Sequence, residues 1–172
     1  PNDVAKLSVQ MPIVLDDVSE WNCIINANKA VLELYHRGGG PAHINLETTY
    51  SRKKVTDVQP VRIIRRFIKC DVLPKIVAQR VCVYVGAHAA MDDRLQKEIS
   101  EFCKKYNGIV LCDHTSNYRG EYRAFCNIAA NQYYWKSVIQ NVDLMVHIGD
   151  ISSSDYAIQA KEVWRVNPDG EI

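Results

Sequence analysis

The sequence lacks the glycine-rich motifs that indicate a bound nucleotide or an activated serine. It has only eight glycines in 172 residues, and none stands in a G-x-G-x-x-G, G-x-x-x-x-G-K-[ST] or G-x-S-x-G pattern. Those patterns let backbone approach a dinucleotide, cradle a phosphate chain or present a nucleophile. Their absence disfavours a dinucleotide site, a P-loop hydrolase and an α/β-hydrolase.

The cysteines also lack metal-binding spacing. There are six of them and no C-x-x-C pair, so zinc is not predicted. Several fall on apolar, periodic positions, which predicts buried, reduced thiols and a cytoplasmic protein. The cysteines are Cys23, Cys70, Cys82, Cys103, Cys112 and Cys126.

Strong charge and long apolar runs are missing as well. The formal net charge of +1 creates no field that would attract nucleic acid or an anionic membrane. No apolar run approaches about 18 residues, so no membrane span is predicted. Because position 1 is proline rather than methionine, we expect a piece of a longer polypeptide.

Residues 1–50 are predicted to form an appendage of one helix and one strand. The residues before Ser19 show no clear periodicity. Ser19 is the candidate N-cap, and apolar residues follow it at three- and four-residue steps. Gly38–Gly40 end the helix, and Ala42–Leu46 is a short apolar run typical of a strand. These two elements cannot close a core alone.

Residues 51–79 are predicted to be a linker and lead-in. The stretch 47–60 is polar and charged, as linkers are. In Val61–Phe67 apolar residues and arginines alternate, which favours an edge strand. A short helix is expected at about 72–77.

Residues 80–172 predict the α/β class, as a Rossmann-like, doubly wound parallel sheet. Runs that are apolar on both faces predict strands at 81–85, 109–112, 143–148 and 163–166. Amphipathic stretches between them predict helices, and strands that alternate with helices form a parallel sheet covered on both sides. The helices are expected from Asp92, near Ala130 to Gln140, and from Ser152 to Lys161.

Ligands of such sheets bind beyond the carboxyl ends of the strands. We therefore expect a ligand site or an interdomain edge there, without catalytic residues or metal ligands. Ser152 opens a predicted helix whose free N–H groups suit an anion, and bulky residues at 152 and 153 should abolish its binding. The expected edge residues are Gly86, His88, Asp113, Ser116, Asn117, Arg119, Gly149, Ser152 and Ser153.

Another polar residue, His147, lies inside a predicted strand. It is expected to be a core residue whose ring is satisfied by hydrogen bonds.

Several segments, in order, resemble the thiamine-diphosphate-dependent superfamily of acetolactate synthase and pyruvate decarboxylase. Gly39–Leu46 resembles the G-P-V-H-I-N-x-P stretch that ends the pyrimidine-binding domain of that superfamily. Gly39–Leu46 and Ser116–Arg119 look most like the menaquinone-pathway branch of that superfamily. The members of this branch are the 2-succinyl-5-enolpyruvyl-6-hydroxy-3-cyclohexene-1-carboxylate synthases. Segments similar to the central domain are Val85–His88, Leu111–Asn117, Asp143–Gly149 and Asn167–Gly170.

The resemblance implies that residues 1–50 are the tail of a pyrimidine-binding domain and that 80–172 are a central domain truncated at its C-terminus. It implies a parent enzyme that decarboxylates and ligates 2-oxo acids with thiamine diphosphate and Mg²⁺, a transferase or lyase. The cofactor-activating glutamate and the G-D-G…N motif of the superfamily have no match in the chain. We therefore expect a scaffold that binds no cofactor and is inactive alone.

The partners implied are the missing pyrimidine- and diphosphate-binding domains, in a homodimer or tetramer without nucleic acid or membrane. Glu47–Thr49 replace a proline of the superfamily, and Asp155 and Tyr156 replace a basic pair, which favours a different acceptor, for example in a polysaccharide pathway. The few glycines near Gly86 disfavour FAD. Two alternatives stay open: a free-standing Rossmann-type nucleotide- or small-ligand-binding module, and an independent hydrolase or NAD-dependent enzyme.

Overall fold

The computed structural model describes residues 4–50, 61–112, 114–125, 140–150 and 158–168. They form two compact units, which divide between Leu73 and Pro74. Each unit has a buried apolar cluster of its own.

The first unit is a helix packed on a two-stranded parallel sheet. Strand β1 (Leu7–Met11) pairs in parallel with β2 (Ala42–Leu46), and helix α1 (Asp17–Glu33) lies between them in the chain. Val9 and Met11 alternate along β1 and pack with Ala30 of α1 in the buried cluster. The predicted strand β2 is confirmed, whereas β1 was not predicted.

The start of α1 differs from the prediction, because Asp16 is its N-cap. The Asp16 carboxylate accepts a hydrogen bond from the Ser19 N–H at 2.8 Å, and the Asp16 N–H donates to the Ser19 hydroxyl at 3.0 Å. This reciprocal pair is a capping box. The hydrogen bonds from the Ser19 hydroxyl and N–H lower the pKa of Asp16. Ser19 therefore belongs to the first turn, and its prediction as the cap is wrong.

Residues 61–68, called the strap below, are neither helix nor strand. The predicted edge strand at Val61–Phe67 is therefore wrong, and so is the predicted helix at about 72–77, where no helix forms. The strap lies along α1, where the Asn28 side chain binds its backbone. The backbone groups of an extended segment need partners, and here a side chain supplies them.

The second unit is a five-stranded parallel sheet in the order β5-β4-β3-β6-β7. The chain enters at the central strand, continues outward through β4 to β5, and returns to the other side of β3 with β6 and β7. This is the doubly wound order, so the predicted α/β, Rossmann-like fold is confirmed. The strands are β3 (Val81–Val85), β4 (Ile109–Cys112), β5 (Arg123–Phe125), β6 (Asn141–Ile148) and β7 (Gln159–Val166).

The central strand β3 is buried on both faces. Val81, Val83 and Val85 belong to the cluster that contains Ile99 and Cys103 of helix α2 (Asp93–Tyr106). This two-sided burial explains the uninterrupted apolar run. A second cluster on the other face contains Cys82, Tyr84, Leu111 and Val142.

The remaining predictions of helices have mixed outcomes. Asp92 caps α2 as predicted, since its carboxylate accepts from the Leu95 N–H at 2.7 Å. The predicted helix Ser152 to Lys161 is wrong at its end, because β7 begins at Gln159. Its start and the helix expected near 130–140 fall mostly outside the described residues. In the described ranges, no helix is long and apolar enough to cross a membrane.

Candidate functional site: the carboxyl edge of the parallel sheet

The loops that follow β3 and β6 are joined by their backbones. The Gly86 N–H donates to the Ile148 carbonyl at 2.9 Å. Just beyond, the Ala87 N–H donates to the Asp150 carbonyl at 2.7 Å, and the Asp150 N–H donates to the Ala87 carbonyl at 2.9 Å. The last two bonds form an antiparallel bridge. The crevice where the strand order reverses is therefore closed by backbone.

Two of the predicted site residues, Gly86 and Gly149, allow this contact. A Cβ on residue 86 would lie 1.9 Å from the Asp150 carbonyl oxygen, and one on residue 149 would lie 2.5 Å from the Ala87 oxygen. Gly149 also has a φ of +80°, which favours glycine. Both glycines thus serve close packing of the two loops.

The loop after β4 is tied to the loop after β3. The His88 N–H donates to the Thr115 carbonyl at 3.2 Å, and the Asn117 Nδ2 donates to the His88 carbonyl at 2.6 Å. Asn117 has a φ of +53°, a left-handed conformation that asparagine tolerates. The structure therefore brings the predicted residues His88 and Asn117 together, through a hydrogen bond from the Asn117 side chain to the His88 backbone.

Ser116 supports this loop from inside. Its side chain is buried, and its Oγ accepts from the Tyr118 N–H at 3.3 Å. Tyr118 is buried as well, and its hydroxyl donates to the Glu121 carbonyl at 2.8 Å and lies 3.3 Å from the Ser100 Oγ. Burial raises the pKa of Tyr118. Ser116 and Tyr118 are structural residues of the edge.

Arg119, like Asn117, is a predicted edge residue that is exposed. Its backbone N–H donates to the Gln96 Oε1 at 3.2 Å, which holds the backbone of Arg119 in place. The residue itself is exposed. The remaining predicted residues, Asp113, Ser152 and Ser153, lie outside the described residues. The predicted anion site at Ser152 therefore stays a prediction.

Asp150 and Arg165 belong to this edge and were missed in the sequence. The Asp150 carbonyl closes the crevice, and its carboxylate lies 3.6 Å from the Arg165 Nη2 on β7. A sequence pattern could have indicated both residues. Asp150 directly follows the glycine that ends a buried apolar run, and Arg165 lies near the end of the next run.

His147 is buried as expected, but among the described residues one of its ring nitrogens lacks the expected hydrogen-bond partner. It is 7% exposed, and its ring packs edge-on against that of Tyr84 with a centroid distance of 5.1 Å. Within the part of the chain that the structure describes, its Nε2 has no hydrogen-bond partner. Burial, assisted by the charge of Arg165, lowers the pKa of His147. Both effects favour the neutral form of the ring.

A groove of about 460 Å³ lies at the opposite, amino edge of the sheet. Its one carboxylate, Asp143, accepts from the Lys161 Nζ at 2.7 Å and from the N–H groups of Arg80 and Gln79 at 3.0 and 3.1 Å. These hydrogen bonds lower the pKa of Asp143 to about 2. Through these hydrogen bonds, the Asp143 carboxylate connects the starts of β3, β6 and β7.

Metal-ligand side chains are scattered over the described ranges, where no three of His, Cys, Asp or Glu gather into a possible metal site. Cys103 is fully buried, and burial raises the pKa of its thiol to about 11. The buried-thiol prediction is confirmed for Cys82, Cys103 and Cys112, whereas Cys70 is exposed.

No protein-family profile matches the chain. Curated proteins do match, and those named here are all 2-succinyl-5-enolpyruvyl-6-hydroxy-3-cyclohexene-1-carboxylate synthases. The Bacteroides fragilis synthase is 28% identical over 198 residues, covering 98% of this chain and 34% of the relative. The Phocaeicola vulgatus synthase is 33% identical over 106 residues, 60% of this chain and 16% of the relative.

A third relative, from Bacteroides thetaiotaomicron, is 35% identical over 66 residues, 37% of this chain and 12% of the relative. Nearly all of this chain is matched by the Bacteroides fragilis relative, but the chain spans only about a third of the length of that relative. The resemblance to the menaquinone-pathway branch of the thiamine-diphosphate-dependent superfamily, which the motifs indicated, is therefore confirmed.

Proposed function

We propose that this chain is the scaffolding part of a thiamine-diphosphate-dependent enzyme that decarboxylates and ligates 2-oxo acids, a cytoplasmic transferase or lyase. The similarity to synthases of this type over 98% of the chain supports the parent activity. The doubly wound sheet supports the assignment of the second unit as a central domain. Its partners are the cofactor-binding domains of the parent, in a homodimer or tetramer.

The observation that carries the scaffolding role is the closed crevice between β3 and β6. Doubly wound domains that bind nucleotides do so in this crevice, outside the carboxyl ends of the strands. Here the Ala87–Asp150 bridge lies in that place. The edge therefore offers a surface to a neighbouring domain and little room for a nucleotide, which disfavours the free-standing nucleotide module.

Thiamine diphosphate and Mg²⁺ do not fit the residues that the structure describes. Mg²⁺ requires oxygen ligands in a compact arrangement, and among these residues no group of three or more candidate ligands comes together. When bound in the parent, thiamine diphosphate supplies the carbanion chemistry. The contribution of this chain is to hold the binding domains in position, and no reaction step is assigned to its side chains.

The exposed side of the carboxyl edge is the proposed contact with a neighbouring domain, with Arg119 at its centre. In the protein encoded by the full reading frame, Arg119→Glu should weaken the 2-oxo-acid decarboxylation that depends on thiamine diphosphate. Lys105→Glu is the matched control, because Lys105 is exposed in the last turn of α2, away from that edge. Equal activities of the two variants would contradict this contact.

Ligand titration separates the scaffold from the alternative function. Calorimetry of the chain with ADP, NAD⁺ and FAD should give no saturable heat, since the crevice is closed. The free-standing module predicts saturation by one of these nucleotides at micromolar concentration. That result would overturn the proposed scaffolding role.

A further inference from the structure

The side chain of Asn28, on α1, binds the strap on both sides of Ile63. Its Nδ2 donates to the Arg62 carbonyl at 3.0 Å, and its Oδ1 accepts from the Ile64 N–H at 2.7 Å. The second Nδ2 hydrogen is used within the helix, in a bond to the Ile24 carbonyl at 2.8 Å. Both donors of the amide and its oxygen are thus engaged.

This pattern is that of a parallel β-ladder. In such a ladder, one residue donates to the carbonyl before its partner residue and accepts from the N–H after it, so the bonds are slanted and evenly spaced. Asn28 makes the same two bonds with its side chain, centred on Ile63. The amide therefore replaces the neighbouring strand that the strap lacks.

Two arginines of the strap also contact α1. The Arg62 guanidinium lies over the Trp21 ring, 5.5 Å from its centroid. The Arg66 Nη1 donates to the Leu32 carbonyl at 2.9 Å, where a cation is favoured by the helix dipole. Between them, Ile63 and Arg65 are exposed, Ile63 to 75%.

The strap is held mainly by polar contacts, because much of its apolar surface is exposed. Val61, Ile63 and Ile68 are all at least 60% exposed. A segment with little buried apolar area opens easily when its hydrogen bonds are lost. The attachment of the strap therefore depends on a few identifiable bonds.

We propose that Asn28 is a clasp: its two bonds to the strap backbone hold residues 61–68 on α1, and their loss releases the strap. The chemistry is specific to asparagine at this position. Aspartate keeps an acceptor oxygen but has no donor for the Arg62 carbonyl, and alanine has neither group.

Amide hydrogen exchange and limited trypsin digestion test the clasp on the intact chain. In Asn28→Ala, the Ile64 amide should exchange roughly tenfold faster, and cleavage after Arg62, Arg65 and Arg66 should accelerate similarly. Asn22→Ala is the matched control, because Asn22 is an exposed asparagine of the same helix. It should match the unmodified chain in both measurements.

Protection of the Val9 amide reports whether the first unit remains folded. If Asn28→Ala abolishes it, Asn28→Asp decides, because loss of the donor to the Arg62 carbonyl should accelerate both exchange of the Ile64 amide and cleavage of the strap. Unchanged exchange and cleavage in a folded Asn28→Ala variant would overturn the proposal. So would an Asn28→Asp variant whose strap is cleaved no faster than that of the unmodified chain.

Discussion

The Asp150 carbonyl oxygen lies 1.9 Å from the position that a Cβ of residue 86 would occupy. Gly86 is buried directly after β3, and Asp150 stands two residues after β6. The contact therefore joins the two strands between which the direction of strand order reverses. A glycine that the sequence offers as a ligand-binding residue is needed here for contact between two loops.

Gly86→Ala should destabilise the second unit strongly. The new methyl group cannot avoid the Asp150 backbone, so the free energy of unfolding should fall by about 3 kcal/mol. Gly108→Ala is the control, because its Cβ would meet nothing nearer than the Val81 oxygen at 3.3 Å. Its loss should stay below about 1 kcal/mol. Urea denaturation of both variants makes the comparison, and equal losses would contradict the close contact.

Asn117 should contribute through its side chain and through its backbone conformation. Asn117→Gly keeps the left-handed conformation and loses the hydrogen bond to His88, which should reduce the free energy of unfolding by about 1 kcal/mol. Asn117→Ala loses the bond and also strains the backbone, for a further loss of about 1 kcal/mol. The order of the two melting temperatures checks this. A glycine variant less stable than the alanine variant would show that φ at this position is unimportant.

The thiols should react in the order of their exposure. Cys70 is exposed and should react rapidly with Ellman's reagent in the folded chain. Cys103 is fully buried, and its raised pKa of about 11 leaves almost no thiolate at neutral pH. Cys70→Ser should remove a fast phase that Cys103→Ser leaves intact. Rapid labelling of Cys103, detected by mass spectrometry of the folded chain, would contradict its burial.

His147 should make stability depend on pH on the acid side of neutrality. Burial lowers the pKa of its ring below the ordinary value of 6.5, so the unfolded chain binds a proton that the folded chain does not. Stability is therefore retained above the ordinary pKa and lost as the pH falls through the lower, folded value. His147→Phe should show a smaller loss over this interval in urea denaturation. An identical pH dependence in both proteins would contradict a neutral, buried ring.

Much of the second unit could be predicted because its signals are local. Val81–Val85 is apolar at every position, and Asp92 and Asn107 mark the ends of α2. The first unit was harder, because β1 is short and its partner β2 lies more than 30 residues away. Val61–Phe67 has the alternation of a strand, but its partner is the Asn28 side chain. No local pattern shows which partner an extended segment will find.

For the candidate site, too, the sequence predicted the positions of residues but not their contacts. The positions of Gly86, His88, Asn117 and Gly149 after their strands followed from the predicted sheet. Their roles did not, because the Ala87–Asp150 bridge depends on two loops separated by more than 60 residues meeting in space. The environment of the His147 ring, whose Nε2 has no partner among the described residues, likewise depends on packing across β3 and β6.

A paired titration with the cofactor asks whether this chain binds thiamine diphosphate by itself. This chain and the protein encoded by its full reading frame are titrated with thiamine diphosphate in the presence of Mg²⁺ in a calorimeter. We expect saturable heat for the longer protein and none for this chain. Saturable binding by this chain at micromolar cofactor, or its absence from the longer protein, would contradict a scaffold that relies on other domains for the cofactor.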